Sequence, residues 1–211
     1  MKSLLFAALS LLLLCAGCGA PDPVLIDRTY AGAAGSARRV LVAYGTGAGS
    51  TAEVADRIAR TLAARGPAVD VKPVTAVPSL AGYDAVVLGG PMHAGKVISS
   101  VRNFTHDRRQ ELARVPVACF VTCLILKDDT PENRAKAASA LDPVRADVTP
   151  VSVGLFAGKL DYATLSFSMR FFIKYFLRAP EGDFRDWNAI EKWAGDLPPL
   201  LLAKRDAPPG G

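Results

Sequence analysis

The sequence predicts a doubly wound α/β domain, in which five parallel strands in the order 2-1-3-4-5 are covered by helices on both faces. Two observations support this fold class. Apolar stretches of strand length alternate with helix-forming stretches along the chain, which is the pattern of a parallel sheet with right-handed crossovers. The first apolar stretch also ends in a loop of Gly, Thr and Ser that leads straight into a helix, a pattern typical of anion-binding loops.

Length, composition and charge narrow the class of protein further. The chain has 211 residues, half of them hydrophobic, which suits one α/β domain with short appendages. The formal net charge is +5, but the basic residues are scattered and no run of five occurs. Binding to nucleic acid is therefore not expected.

Residues 1–17 are predicted to be a signal peptide outside the fold. Lys2 precedes the apolar run 4–14, which is shorter than the roughly 20 residues of a membrane-spanning helix. The Cys-Ala-Gly-Cys stretch that follows resembles the lipobox of bacterial lipoproteins, with Cys18 as the lipidated residue. This resemblance implies a lipid anchor in the cell envelope, on the outer side of the cytoplasmic membrane or on the outer membrane. The alternatives are ordinary secretion with cleavage nearby, or an uncleaved anchor.

The rest of the chain divides into a tether, a domain and a tail. Residues 18–37 are rich in Gly, Ala and Pro and are predicted to form a flexible tether. Residues 38–203 are predicted to form the α/β domain, and residues 204–211 a disordered tail.

Each element of the domain has its own local signal. The five strands are predicted in RRVLVAYG, AVDVKPV, YDAVVLGG, PVACFVTCLIL and VTPVSVGLFAG; the third lacks alternation, as expected of a strand buried on both faces. Thr130 followed by a proline predicts a helix start. Helices are predicted at about 51–65, 96–115, 130–141, 164–178 and 186–197.

The loop after the first strand, residues 46–51 (TGAGST), has the composition of an anion site. Its two glycines permit conformations that direct several N–H groups at one anion, and its three hydroxyl side chains add donors. It lacks the lysine of a Walker A loop, and Asp70 lies too early in the second strand to hold a dinucleotide ribose. A terminal phosphate monoester is the favoured ligand, and a tight turn without a ligand is the alternative.

The loops after the third and fourth strands are predicted to flank a flat ligand. In residues 89–96 (GGPMHAGK), two glycines and a proline let the backbone approach a ring, with Met92 or His93 beside its face. After the fourth strand, Cys123 and Leu124 are placed to touch the far side of the ring, although plain strand termination explains these residues equally well.

The cysteines of the domain are not expected to form a disulfide or a metal site. Cys119 and Cys123 lie four residues apart in one predicted strand, a separation of about 13 Å. Two cysteines alone also make a poor metal site, so no metal is expected.

The order and composition of these loops resemble those of the flavodoxin family, which holds FMN non-covalently. The first loop is similar to the family's phosphate loop, and residues 89–96 are similar to its ring-binding loop. The resemblance implies a flavodoxin-like sheet and FMN as cofactor. It assigns cofactor binding to Thr46, Gly47, Ala48, Gly49, Ser50, Thr51, Pro91, Met92, His93, Ala94, Gly95, Cys123 and Leu124.

Within the family, residues 40–197 resemble the menaquinone-dependent protoporphyrinogen oxidase branch. The resemblance rests on VGLFAGKLDY, the aromatic and basic stretch SFSMRFFIKYFLR, and the DW that opens the last helix. It implies an FMN-dependent oxidoreductase with a quinone as a partner and a small molecule or a protein as electron donor. No catalytic side chain is assigned, because the flavin ring supplies the redox chemistry.

Two alternatives to the enzyme stay open: an exported electron carrier without a substrate pocket, and a scaffold that no longer uses flavin. Electron carriers of the family are usually markedly acidic, whereas this chain is basic. The charge therefore favours the enzyme over the carrier.

The predicted helix over 165–178 has two interpretations. Packing against the sheet explains its apolar face, whereas aromatic residues among cations are typical of a surface in a lipid headgroup layer. On the second hypothesis, the helix lies on the membrane and helps a quinone to reach the flavin. The apolar face consists of Leu165, Met169, Phe172, Ile173 and Phe176, and the basic stripe of Arg170, Lys174 and Arg178.

Overall fold

Strands and helices alternate through a computed structural model that describes residues 21–177 and 179–203, without the side chains of 176 and 177. The predicted signal peptide, Cys18 and the tail 204–211 lie outside the described residues. The strands are β1 (Arg28–Tyr30), β2 (Arg39–Tyr44), β3 (Ala68–Pro73), β4 (Ala85–His93), β5 (Lys96–Val97), β6 (Val117–Cys123), β7 (Ser152–Ala157), β8 (Lys159–Leu160) and β9 (Gly182–Asp183). The α-helices are α1 (Ser50–Ala63), α2 (Ser99–Asp107), α3 (Arg109–Leu112), α4 (Pro131–Ser139), α5 (Asp142–Arg145), α6 (Phe167–Phe171), α7 (Trp187–Asp196) and α8 (Pro198–Leu202).

The predicted order of the parallel strands is confirmed. The parallel pairs are β3 with β2, β2 with β4, β4 with β6, and β6 with β7. This is the order 2-1-3-4-5 when the five predicted strands are numbered along the chain.

No helix among the described residues is long and apolar enough to span a bilayer.

Alternate residues of the central strands build two apolar layers, one on each face of the sheet. Val40, Val42 and Tyr44 of β2 belong to the layer that includes residues of α1 and α7. Leu41 and Ala43 belong to the opposite layer, which includes residues of α2 and α4. Because successive strand residues point to opposite faces, one short apolar run serves both layers.

The tether prediction differs from the structure between residues 26 and 30. β1 pairs antiparallel with β3 at the edge of the sheet, with Thr29 opposite Asp70. Thr29 Oγ1 also donates to Asp70 Oδ1 at 2.6 Å, and Tyr30 OH donates to Asp56. This segment has the composition of a tether, but its side-chain contacts with Asp70 and Asp56 hold it as a strand.

The helix predicted from residue 96 begins later and is interrupted. Met92 and His93 pair with β5 in an antiparallel hairpin, so α2 starts only at Ser99. The chain leaves helical geometry at Arg108, whose guanidinium donates to the carbonyls of Val77 and Pro78 at 3.1 and 2.7 Å. These long-range bonds separate α2 from α3.

Residues 161–181 leave the domain as an excursion between β8 and β9, which pair with each other. The segment contains α6 and a π-helix, Phe172–Leu177, in place of one regular helix. The sheet-packing interpretation is wrong for two of its residues, because Met169 and Phe172 are each 48% exposed.

The carboxyl-terminal part combines one predicted helix with one that was not predicted. Asp186 caps α7 by accepting a hydrogen bond from Ala189 N–H at 3.0 Å. α8 follows within the stretch assigned to the end of the domain, and its Leu201 is 2% exposed. The apolar layer beside α1 thus extends to the end of the described chain.

Candidate functional site

The loops after β2, β4 and β6 meet at one edge of the sheet. Tyr44 lies opposite Gly89, and Pro91 lies opposite Thr122, so these three strands end side by side. The chain moves from β2 to β3 on one side and continues with β4 on the other. The crevice between β2 and β4 is therefore the topological switch point, where folds of this class hold ligands.

The first loop forms an open helix start that suits an anion. Gly49 is the N-cap of α1 with φ of 86°, and no side chain caps the helix. Thr46 Oγ1 accepts a hydrogen bond from Gly49 N–H at 3.0 Å, which holds the loop in a turn. Among the described residues, no acceptor is found for the N–H groups of Ser50 and Thr51. These groups and the dipole of a 14-residue helix are available to a phosphate.

The hydroxyl of Thr51 has a different partner. Its Oγ1 lies 2.9 Å from Thr122 Oγ1, and both side chains are buried. This contact fixes the start of α1 to the end of β6. Thr51 thus positions the loop from within the domain, and Thr122 is a residue of the site that the sequence analysis did not identify.

The second loop lies against the first. A Cβ built on Gly47 would lie 3.3 Å from His93 Cε1, so the phosphate loop and the end of β4 are in close contact. His93 is exposed on one side, yet the protein around it lowers the pKa of the imidazole, because desolvation disfavours its charged form. The imidazole beside this loop is thus biased toward its neutral form.

The glycines that precede Pro91 serve internal packing. A Cβ at Gly89 would lie 2.3 Å from the ring of Phe120, and a Cβ at Gly90 would lie 3.0 Å from Ile98. Packing in the core therefore explains why these two positions are glycine. The interpretation that they make room for a flat ligand is not needed. Beyond them, Pro91 and Met92 are half-buried.

Ala94 and Gly95 form the turn of the β4–β5 hairpin, with φ of 48° and 77°. Two positive φ angles in a two-residue hairpin are the pattern of a type I′ turn. Among the described residues, Ala94 is the one non-glycine with a positive φ. The turn therefore carries local strain beside the predicted ring site.

The third loop begins with a buried cysteine. Cys123 is 5% exposed and belongs to the apolar core, and burial raises the pKa of its thiol to about 11. Leu124, which is partly exposed, starts a 3-10 helix. Contact of Cys123 and Leu124 with a ring stays a prediction. Burial likewise raises the pKa of the Cys119 thiol to about 12, and both cysteines are free.

Arg185 reaches the phosphate loop from a distant part of the chain. Its side chain is 3% exposed, and its Nη1 donates to Ser50 O at 3.1 Å. Nη2 lies 2.9 Å from Glu53 and 2.6 Å from Asp183. Burial alone would lower the pKa of Arg185, but Asp183 and Glu53 outweigh burial and raise it. Arg185 therefore stays charged, and its positive charge offsets the negative charge of Glu53 in the first turn of α1.

No local signal in the sequence identifies Arg185, because it lies 135 positions from Ser50. The guanidinium also stacks on the Trp187 ring at 4.4 Å. The DFRDW stretch, which begins two residues after the excursion ends, thus contacts the phosphate loop through Arg185.

A cavity of about 450 Å³ opens beside the phosphate loop. Its walls come from three parts of the chain, which are the N-terminal residues 21–24 and 26, the loop residues 48–50 with Glu53, and Lys159, Asp161 and Thr164. Tyr44 holds the first wall, since Ile26 N–H donates to Tyr44 Oη at 2.7 Å and Tyr44 OH donates to Ile26 O at 3.0 Å. The segment before β1 is thus a part of the site.

The fold and the site together define a mononucleotide-binding α/β protein. An open helix start, a hydroxyl-rich loop and a second loop against it lie at the switch point of a doubly wound sheet. Backbone N–H groups and hydroxyls are donors that fit a terminal phosphate, and the first loop has no acidic side chain.

Comparison with known proteins gives the family. The flavodoxin domain family matches residues 41–186, and the chain belongs to this family. Two relatives are proteins named protoporphyrinogen IX dehydrogenase [quinone]. The protein from Leishmania major is 29% identical over 78% of this chain and 77% of its own, and that from Escherichia coli K12 is 25% identical over 75% and 94%.

Among solved structures, oxidised flavodoxin 2 from Bacillus cereus is similar at 19% identity with a TM-score of 0.48, over 79% of this chain and 99% of its own. Family membership and the donors of the first loop support FMN as the cofactor.

Proposed function

We propose that this protein is an FMN-dependent oxidoreductase that oxidises a tetrapyrrole of the protoporphyrinogen type and delivers the electrons to a quinone. The observation that carries the proposal is the contact of an uncapped phosphate loop with the second loop at Gly47 and His93, in a chain of the flavodoxin family. The names of the two dehydrogenase relatives supply the classes of donor and acceptor.

Different residues of the site bind different parts of FMN in this proposal. The 46–51 loop binds the phosphate through backbone N–H groups, and Thr46 and Arg185 hold this loop in place. Met92 and His93 border the ring, where a neutral imidazole adds no positive charge. Bound FMN supplies the electron transfer itself, and the protein provides orientation and shields the ring from competing reactions.

The proposal is tested first by flavin binding. The domain is mixed with FMN and with riboflavin, and flavin fluorescence is followed during titration. FMN is expected to bind and to acquire a protein-perturbed absorbance spectrum, while riboflavin, which lacks the phosphate, is expected to bind more weakly. Absence of FMN binding would contradict the proposal and leave the scaffold alternative.

Catalysis is tested separately on the FMN-loaded protein. Protoporphyrinogen is supplied without oxygen, and porphyrin fluorescence is measured with and without a menaquinone analogue. Porphyrin formation that depends on the quinone is the expected result. If a strong chemical reductant reduces the flavin but protoporphyrinogen does not, the protein is an electron carrier and the enzymatic part of the proposal fails.

We also propose that Cys18 carries a lipid that anchors the protein in the cell envelope. The support is the Cys-Ala-Gly-Cys stretch after the apolar run 4–14. Several acyl chains anchor a protein stably where a single chain does not. The protein is expected to incorporate labelled fatty acid in bacterial cells, and Cys18→Ser is expected to abolish the label. An unlabelled wild-type protein would contradict the anchor.

A further inference from the structure

The excursion, residues 161–181, exposes an unusual share of large apolar side chains. The described chain has nine exposed large hydrophobic residues, and five of them lie between Phe167 and Tyr175. Phe167 is 65% exposed, Tyr175 59% and Met169 48%. Scattered exposed apolar residues need no explanation, but a cluster of this kind marks an interaction surface.

The charge of the same segment identifies the chemistry of the partner. Residues 162–180 contain no Asp or Glu, whereas Arg170 and Lys174 lie among the aromatic residues. Lys174 Nζ is 5.8 Å from the centre of the Tyr175 ring. Within the described residues, neither Arg170 nor Lys174 forms an ion pair with a carboxylate. Apolar side chains interleaved with free cations complement an anionic lipid surface, in which acyl chains lie beneath phosphates.

The excursion is held at its base, so its exposed side chains are presented together. β8 pairs with β9, Tyr162 N–H donates to Glu181 Oε1 at 2.8 Å, and Tyr162 OH donates to Ala179 O at 2.6 Å. These contacts close the excursion into a loop with joined ends.

The first residues of the excursion and the N-terminal end of the described chain meet at the rim of the cavity. Thr164, just before α6, and Pro21, the first described residue, both line the cavity beside the phosphate loop. Twenty residues precede Pro21, and Cys18 is three positions away, which spans at most about 11 Å. An attachment at that end would therefore lie close to the start of the excursion.

We propose that the excursion is a membrane-docking surface for bilayers with anionic headgroups, in which Phe167, Met169 and Tyr175 enter the interface and Arg170 and Lys174 bind lipid phosphates. This docking is independent of lipidation at Cys18 and of flavin. It places the cavity mouth next to the bilayer, where apolar electron acceptors dissolve.

The test uses residues 21–203, which contain the whole sheet and both apolar layers. Sedimentation with vesicles of zwitterionic lipid, or with 30% of anionic lipid added, measures binding at several salt concentrations. Binding is expected with the anionic vesicles and is expected to weaken as salt screens the charges. Arg170→Gln with Lys174→Gln should reduce the affinity about thirtyfold, since each basic residue near the surface contributes roughly one kcal/mol. Phe167→Ser with Tyr175→Ser should also reduce binding.

Matched variants separate docking from general effects of charge and exposure. Arg134→Gln with Lys136→Gln removes the same charge from α4, and Val151→Ser with Leu200→Ser removes apolar side chains that are 45% and 48% exposed elsewhere. Both pairs are expected to bind like wild type. Absence of vesicle binding, or equal losses in all four variants, would overturn the proposal. Self-association that disappears in Phe167→Ser, without vesicle binding, would overturn it in favour of a second copy as the occupant.

Discussion

Two threonines of the phosphate loop act on different parts of the structure. Thr46 holds the Gly49 turn, whereas Thr51 binds Thr122 inside the domain. Thr46 therefore controls the direction of the N–H groups that face the anion. Thr51 controls how α1 packs on β6.

Thr46→Ala is expected to weaken FMN binding by about 0.5–1.5 kcal/mol, the usual net value of a neutral hydrogen bond, because it removes the bond to Gly49 N–H that orients the N–H groups facing the phosphate. Riboflavin affinity should stay unchanged, because riboflavin has no phosphate. Fluorescence titrations with both flavins measure the difference. As a control, Thr51→Val should mainly lower the free energy of unfolding, by about 1–3 kcal/mol, since it leaves the buried Thr122 hydroxyl without a partner. Equal losses for FMN and riboflavin in Thr46→Ala would contradict the assignment.

Asp70 makes the stability of the fold depend on pH in the acid range. It is fully buried and accepts hydrogen bonds from Thr29, Tyr83 and Arg39. Burial alone would raise the pKa of this carboxyl, but these hydrogen bonds and the charge of Arg39 outweigh burial and lower the pKa. Such a group stabilises the fold above its unfolded pKa of about 3.9, and this stabilisation is lost as pH falls through the folded pKa.

Asp70→Asn is therefore expected to lower the free energy of unfolding by about 1.5–3 kcal/mol at pH 7. The difference from wild type should shrink as pH falls below about 4, because there the Asp70 carboxyl of the unfolded chain takes up a proton before that of the folded chain. Urea unfolding at a series of pH values measures both quantities. Asp142→Asn, at an exposed site on α5, is the control and should have little effect. A difference that is constant from pH 7 to pH 3 would contradict the role given to the Asp70 charge.

At the scale of elements, the β4–β5 hairpin contains a strained turn that a substitution can relieve. A positive φ costs an L-residue with a Cβ roughly 1 kcal/mol, and Asn tolerates it better than Ala. Ala94→Asn would also create an Asn-Gly pair with Gly95, which is the residue pair preferred in type I′ turns.

We expect Ala94→Asn to raise the free energy of unfolding by about 0.5–1 kcal/mol, measured by urea denaturation without flavin. Ala113→Asn is the matched control, since Ala113 has φ of −64° and should gain nothing. A gain of the same size at both positions would show that relief of strain is not the cause.

Elements with strong local signals were predictable from the sequence. The central strands are continuous apolar runs, and Thr130 caps α4 by accepting from Asn133 N–H at 3.2 Å, as its position before a proline indicates. The Gly, Thr and Ser residues of the 46–51 loop likewise indicated a tight turn into a helix, and α1 begins at Ser50.

Elements that depend on distant partners could not be predicted in the same way. β1 has three residues, and its contacts with Asp56 and Asp70 decide its conformation. β5 has two residues and exists only as the partner of β4. Arg185 and Thr122 belong to the site through tertiary contacts that no local spacing indicates.

At the scale of the molecule, the N-terminal segment completes the domain. A chain that begins at Arg38 lacks β1, leaves the edge of β3 unpaired and removes the hydrogen bonds that Thr29 and Tyr30 make to buried acids. Compared with a chain that begins at Pro21, we expect it to lose about 3 kcal/mol or more of unfolding free energy, from two hydrogen bonds to charged groups.

Thermal and urea unfolding of the two chains test this expectation, and light scattering detects association through the open strand edge. A chain that ends at residue 203 is the control for truncation. Its free energy of unfolding should equal that of the chain that ends at residue 211. If the chain from Arg38 is as stable as the chain from Pro21, β1 is dispensable and the boundary at residue 38 is the better one.

The attachment of the N-terminal segment also decides where a mechanical load would enter the domain. Tension applied ahead of Pro21 reaches the two hydrogen bonds between Tyr44 and Ile26 first, then the ion pair of Asp27 with Lys72, and only then β1. Tyr44 ends the strand that leads into the phosphate loop. A pull from the N-terminal end is therefore expected to act on the strand before the phosphate loop, through one buried tyrosine, before it loads the edge of the sheet.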